Sequence, residues 1–227
     1  MRKLANRPGG PKGAAIIRRG WGKVLGGLTL SPLMAVLLTP PAAAQSADIS
    51  QKVKAECAAC HTETGNSIAL PFPKLAGLAP DYLAKQLRDF VSGARKNEIM
   101  FPIASQLSRA DITALADYFS RQKRTPAMVT KPQLLAAGEI VFHQGNKENG
   151  VPACAGCHTR NGAGAPRFPM LAAQNPDYVV QQLQNFRSGA RTNDFGKLMR
   201  TTVSRLTDDE IQAVAQYIAS VPPPAGR

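Results

Sequence analysis

A chain of 227 residues, 44% hydrophobic and 19% charged, has a globular composition and excludes an intrinsically disordered protein. Its net charge of +13 is what a nucleic-acid binder carries, but the charge is concentrated at one end. Seven basic residues (Arg2, Lys3, Arg7, Lys12, Arg18, Arg19, Lys23) and no acidic one fall within residues 1–44; without them 21 Lys and Arg face 15 Asp and Glu, a balance of +6 that leaves nucleic-acid binding without support.

In chain order, the first element is a targeting segment. A basic start precedes an apolar stretch from Val24 to Leu38, then Pro40-Pro41 and the small-residue run Ala42-Ala43-Ala44. This pattern predicts an export signal over 1–44, cleaved after Ala44. The apolar stretch is shorter than the roughly 20 residues that span a bilayer, so a retained anchor is the weaker reading and no stable membrane insertion is expected after cleavage.

The remaining elements are helical and come twice. Cys57-Ala58-Ala59-Cys60-His61 returns as Cys154-Ala155-Gly156-Cys157-His158. A helix predicted over about Pro80–Ser92, stopped by Gly93, returns as Pro176–Ser188, stopped by Gly189. Ser108 with Asp111 forms a capping-box pattern ahead of the apolar stripe Ile112, Leu115, Ala116 and Phe119; Thr207 with Glu210 does the same ahead of Ile211, Val214, Ala215 and Ile218. Between the copies, a basic, Pro-containing linker precedes a helix that starts at Pro132 and runs through Gly138 towards Gln144. The offset between copies stays at 96 to 99 residues, too regular for chance. The expectation is an all-α protein with a signal over 1–44, a first domain over 45–123, a linker over 124–131 and a second domain over 132–227. Each domain is small for an independent core and needs an added source of stability.

All four cysteines belong to the two Cys-x-x-Cys-His runs. On a helical turn, two thiols three residues apart reach the two vinyl groups of one haem, and the adjacent histidine meets the iron; this is the haem-attachment signature. Structural zinc, a redox dithiol and disulfides are the alternatives, and two such runs in register in an exported helical chain favour haem over each. Cys57, Cys60, Cys154 and Cys157 are thus expected to hold two covalent haem c groups, with His61 and His158 on the irons.

For the opposite axial position the repeat selects Met100 and Met199, which lie 39 and 41 residues after their histidines and both follow Gly-Ala-Arg-x-Asn, in stretches that read as loops. Met170 aligns with Lys74 and reads as a packing residue; Met128 sits in the linker. His143, without a repeat counterpart, reads as a solvated helix-end residue. Phe72, Phe90, Phe101, Phe168, Phe186 and Phe195 are candidates either to line the haem pockets or simply to pack the core. Arg95 and Arg191 read either as propionate partners or as exposed arginines.

With two haem runs and two matching methionine stretches, residues 45–227 resemble the c-four type of cytochrome, the tandem dihaem members of the class I cytochromes c. The resemblance implies two cytochrome c folds facing each other, His/Met ligation in both, and electron transfer in the periplasm. It implies as partners a cytochrome bc complex or other quinol-linked donor and a haem-copper oxidase acceptor, and it implies that the carbonyls of Pro73 and Pro169 accept from the histidines. The chain departs from it at Thr62 and Thr159, where Gly is common, and in a longer second methionine loop. Two six-coordinate irons leave no open position for a substrate, so the expected role is an electron carrier. A dihaem peroxidase, a sulfur-compound dehydrogenase, or a cytochrome subunit of a larger enzyme are the rivals.

Overall fold

The computed structural model describes residues 48–225; the expected leader and its cleavage position lie outside them. Among the described residues the only β pairing is two isolated bridges, Asn146 with Val151 and Ala165 with Phe168, and everything else ordered is helical.

In the first copy, helical backbone runs through 48–61, widened to a π-helical segment over Val53–Cys57 and closing as α1, Ala58–His61. Then come α2 (Pro80–Val91), α3 (Met100–Ala104) and α4 (Arg109–Ser120). The second copy opens with a 3-10 turn at Pro132–Leu134 and continues through α5 (Leu135–Gln144), α6 (Ala155–His158), α7 (Pro176–Ser188), α8 (Leu198–Val203) and α9 (Asp208–Ser220). The start at Pro132 is therefore a tighter turn than a uniform helix, with its cap supplied by the Leu135 N–H donating to the Pro132 carbonyl.

The sequence signals for helix ends act as expected. Ser108 Oγ accepts from Asp111 N at 3.1 Å while the Asp111 carboxylate accepts from Ser108 N at 2.9 Å. Thr207 and Glu210 repeat the exchange at 3.2 and 2.8 Å. Pro80 and Pro176 occupy first turns, where their missing N–H costs nothing. Gly189 takes φ 78° to end α7, a left-handed conformation that glycine adopts without penalty.

The apolar stripes of α4 and α9 are buried along their full length. Ile112, Leu115 and Phe119 join Val53, Leu78 and Leu83 in one core, and Ile211, Val214 and Ile218 join Val141, Phe142, Val179 and Phe186 in the other. The first core is completed by Met170, Ala172 and Val221 from the second copy. Met170 is therefore a packing residue, but one that packs across the boundary. Stretch 124–131, though largely exposed, is fastened at both ends: Arg124 is buried, and the N–H groups of Thr130 and Lys131 both donate to Gln216 Oε1 on α9, at 2.8 and 3.0 Å.

Candidate haem sites

Each Cys-x-x-Cys-His run winds into a single turn. Cys157 N and His158 N both donate to the Cys154 carbonyl, at 3.2 and 2.9 Å, which gathers two thiols and an imidazole around one peptide oxygen. None of the four cysteines forms a disulfide among the described residues. Burial, chiefly, pushes the Cys57 and Cys154 thiols up to about 11, so both stay protonated near neutral pH. Among the described residues no group of three or more His, Cys, Asp or Glu is placed to hold a metal ion.

The two histidines are set identically. His61 Nδ1 donates to the Pro73 carbonyl at 3.0 Å and His158 Nδ1 to the Pro169 carbonyl at 2.9 Å. A carbonyl only accepts, so these bonds fix the proton on Nδ1 and leave the lone pair on Nε2. Both rings are buried, and burial holds both pKa values below the ordinary histidine range against the opposing pull of the carbonyls. The imidazoles are thus neutral, pre-aligned σ-donors. Phe72 stands edge-on to His61 at 6.3 Å between ring centroids, and Phe168 to His158 at 5.9 Å. Directly after each histidine the backbone turns through positive φ, at Thr62 (62°) and Thr159 (69°), with ψ of 163° and 157°. Each hydroxyl compensates by accepting a backbone N–H, from Asn66 and Ala163 respectively, both at 3.0 Å.

The methionine stretches are short helices instead of loops. Asn97 Oδ1 accepts from Ile99 N and Met100 N, at 3.1 and 2.8 Å, and this side-chain turn starts α3 at Met100. In the second copy Asp194 binds Arg200 twice, accepting from its N at 3.0 Å and its Nε at 2.7 Å, and folds the chain into α8 with Met199 against the second core. Asn and Asp at these positions read equally well as loop residues, which is why the local helices were not evident from sequence. Met128 is 59% exposed in the linker, away from either core.

Of the other aromatic candidates, Phe90 and Phe186 are buried, whereas Phe101 and Phe195 are 51% and 65% exposed, with the Arg167 guanidinium over the Phe195 ring at 4.9 Å. His143 is half-buried at the end of α5, with Nε2 2.7 Å from the Tyr217 hydroxyl, so it is a tied core-edge residue and not a solvated one.

Arg95 and Arg191 are neither exposed nor confined to their own copies. Arg95 Nη1 donates to Gln86 Oε1 at 2.8 Å, and its Nη2 crosses to Tyr178 Oη and Gln182 Oε1 at 3.0 and 2.9 Å. Arg191 Nη1 donates to Gln182 Oε1 at 3.0 Å, and its Nη2 crosses to Gln86 Oε1 and Tyr82 Oη at 3.0 and 3.5 Å. Each guanidinium also covers its own phenylalanine, Phe90 at 4.7 Å and Phe186 at 4.4 Å. Both arginines are buried, and every hydrogen-bond acceptor is neutral. The sequence contained a signal for this cluster, since Tyr82, Gln86 and Arg95 reappear as Tyr178, Gln182 and Arg191, but not for its crossing of the boundary.

Paired cysteines one turn apart, histidines whose Nδ1 protons are engaged and whose Nε2 lone pairs are available, and two buried arginines with no carboxylate partner among the described residues form a donor set that fits covalently attached haem and its acidic side chains.

Residues 46–123 and 136–222 each match the family model described as Cytochrome c. A cytochrome c4 of Thiocapsa roseopersicina is 45% identical over 170 residues, covering 74% of this chain and 88% of its own. A protein of Thiomonas intermedia (strain K12) named Thiosulfate dehydrogenase electron acceptor is 41% identical, covering 74% and 79%. The crystal structure of reduced recombinant cytochrome c4 from Pseudomonas stutzeri superposes with a TM-score of 0.72 at 39% identity, over 77% of this chain and 97% of that one.

Proposed function

The chain belongs to the cytochrome c family as a dihaem electron carrier of the cytochrome c4 kind, with two covalently bound haem c groups, and on that premise we propose how and where it works. Cys57 and Cys60 hold the first haem by thioether bonds, Cys154 and Cys157 the second. His61 with Met100 would hold the iron of the first haem, and His158 with Met199 that of the second. Each haem, when bound, supplies a one-electron ferric/ferrous couple, with a thioether sulfur favouring the ferrous state.

The chain's own residues orient and insulate. The Pro73 and Pro169 carbonyls hold the imidazoles in a single tautomer, so no proton moves at the ligand when the charge changes. Phe72 and Phe168 wall the histidine side. Arg95 and Arg191 partner propionates at the boundary between the copies, where their remaining charge is uncompensated. The observation that carries the reading is the paired His–Pro geometry directly behind two Cys-x-x-Cys pairs.

The working protein is the periplasmic product of cleavage after Ala44, with domains over 45–123 and 132–227 joined by 124–131. It passes electrons from a quinol-linked donor such as a cytochrome bc complex to a haem-copper oxidase. The name of the Thiomonas relative favours a second donor, a thiosulfate dehydrogenase, with this chain still acting as acceptor and carrier.

Redox-titrated absorption spectroscopy of the purified mature protein tests the ligand assignment. The Met-sulfur charge-transfer band should be present, and Met199→His should remove half of it. An unchanged band would refute Met199 as a ligand, and rapid cyanide binding by either ferric haem in the wild type would refute the closed-coordination carrier.

A further inference from the structure

The buried arginines Arg95 and Arg191 match across the repeat; one other pair of buried cations has no counterpart. Lys74 directly follows Pro73, the residue whose carbonyl accepts from His61. It is only 3% exposed, and its Nζ donates to Thr125 O at 3.0 Å, Thr125 Oγ1 at 2.8 Å and Pro126 O at 2.7 Å. Beside it Arg124, 5% exposed, donates to the carbonyls of Ala76 (2.8 Å), Ala172 (3.2 Å) and Lys74 itself (3.0 Å). All of these acceptors are neutral, and neither cation meets a carboxylate among the described residues.

The same place in the second copy is Met170, buried and apolar. The basic residue nearest to it in the chain, Arg167, lies on the exposed surface over Phe195, where solvent screens it. The two histidine-side environments therefore differ in their buried charge. The cost of that charge is visible: burial first, and Arg124 second, bring Lys74 down to about 8, and burial brings Arg124 down to about 10.

We infer that Lys74 is a one-sided electrostatic tuning element that raises the reduction potential of the first haem. The inference rests on the two-haem reading given above. A ferric site carries one more positive charge than a ferrous one, so an adjacent buried cation disfavours oxidation. A unit charge at roughly 10 Å through an effective dielectric near 20 changes a one-electron equilibrium by about tenfold, or about 59 mV. The Pro73–Lys74 peptide is pinned from the other copy as well, with Lys74 N donating to Gln174 Oε1 at 2.7 Å, and the ammonium is held in place by its three bonds to Thr125 and Pro126.

The test is spectroelectrochemical titration of the full mature holoprotein, resolving two one-electron waves in wild type, Lys74→Met, Lys74→Gln and Lys74→Arg. Lys74→Met reproduces the residue of the second copy, and Lys74→Gln keeps a donor for the linker carbonyls should the apolar variant not fold. Both neutral variants should shift one wave to lower potential by about tenfold in its equilibrium constant and leave the other in place, and Lys74→Arg should restore it. The wave that moves should differ from the one moved by Met199→His. Two waves unmoved within twofold in a folded neutral variant, or a shift in Lys74→Arg as large as in Lys74→Met, would overturn the inference. Intact mass is measured first: fewer than two haems removes the dihaem premise, whereas two haems with unmoved waves refutes only the tuning role.

Discussion

Thr62 and Thr159 occupy backbone conformations close to glycine-only territory, at a cost of about 1–3 kcal/mol each. The hydroxyls that accept the Asn66 and Ala163 N–H groups offset part of that cost. Replacing Thr with Val keeps the branched Cβ and deletes the hydroxyl, which at Thr159 also donates to Asn161 Oδ1 at 2.8 Å, so Thr62→Val and Thr159→Val should each lower stability by about 1 kcal/mol in denaturant titration, with the haem spectrum intact. At the same scale, Cys57 and Cys154 should react slowly with alkylating agents at neutral pH in any protein that lacks the haem, because burial keeps them protonated. Intact mass is therefore the decisive measurement of attachment. The two Cys-x-x-Cys-His runs stood out in the sequence because ligand chemistry tolerates few alternatives at that spacing, and the repeat alone singled out Met100 and Met199 as candidates for the opposite position. Lys74 was not legible: a lysine beside a proline reads as surface, and only folding around Thr125 and Pro126 buries it.

Among the elements, α5 and α9 cross at Gly138. A Cβ there would stand 2.1 Å from the Ala213 carbonyl oxygen and 2.8 Å from Tyr217 Cβ, both on α9. Since backbone cannot swing aside as a long side chain can, Gly138→Ala should destabilise the second domain by about 3 kcal/mol, read as an earlier thermal loss of helical circular dichroism. An alanine in an exposed helix would have had the opposite effect. The helices themselves followed from their apolar spacing and capping boxes, and Ile112 to Phe119 and Ile211 to Ile218 pack inward as that spacing requires. The short helices α3 and α8 escaped the same reasoning, because five or six residues hold too little periodicity to register and depend instead on side-chain turns by Asn97 and Asp194.

For the whole molecule, duplication was evident from sequence and the extent of contact between the copies was not. Met170, Ala172 and Val221 enter the first core, and Gln174 both accepts from Lys74 N and donates to Lys74 O, at 2.7 and 3.0 Å. Such contacts join residues about a hundred positions apart, beyond the reach of any local pattern. Gln174→Ala leaves a buried amide without its acceptor, at about 1–3 kcal/mol, and loosens the seam between copies. Its expected signature is a single thermal transition in the parent that resolves into two in the variant; a shifted but still single transition would show that the remaining seam suffices.

The crossing of Arg95 to Tyr178 and Gln182, answered by Arg191 to Tyr82 and Gln86, has the reciprocity of an isologous contact, in which identical subunits meet across a dyad. One polypeptide thus retains the architecture of a homodimer without depending on protomer concentration. Dilution in an aqueous compartment, which dissociates a weak dimer, leaves the two redox centres of this chain permanent neighbours.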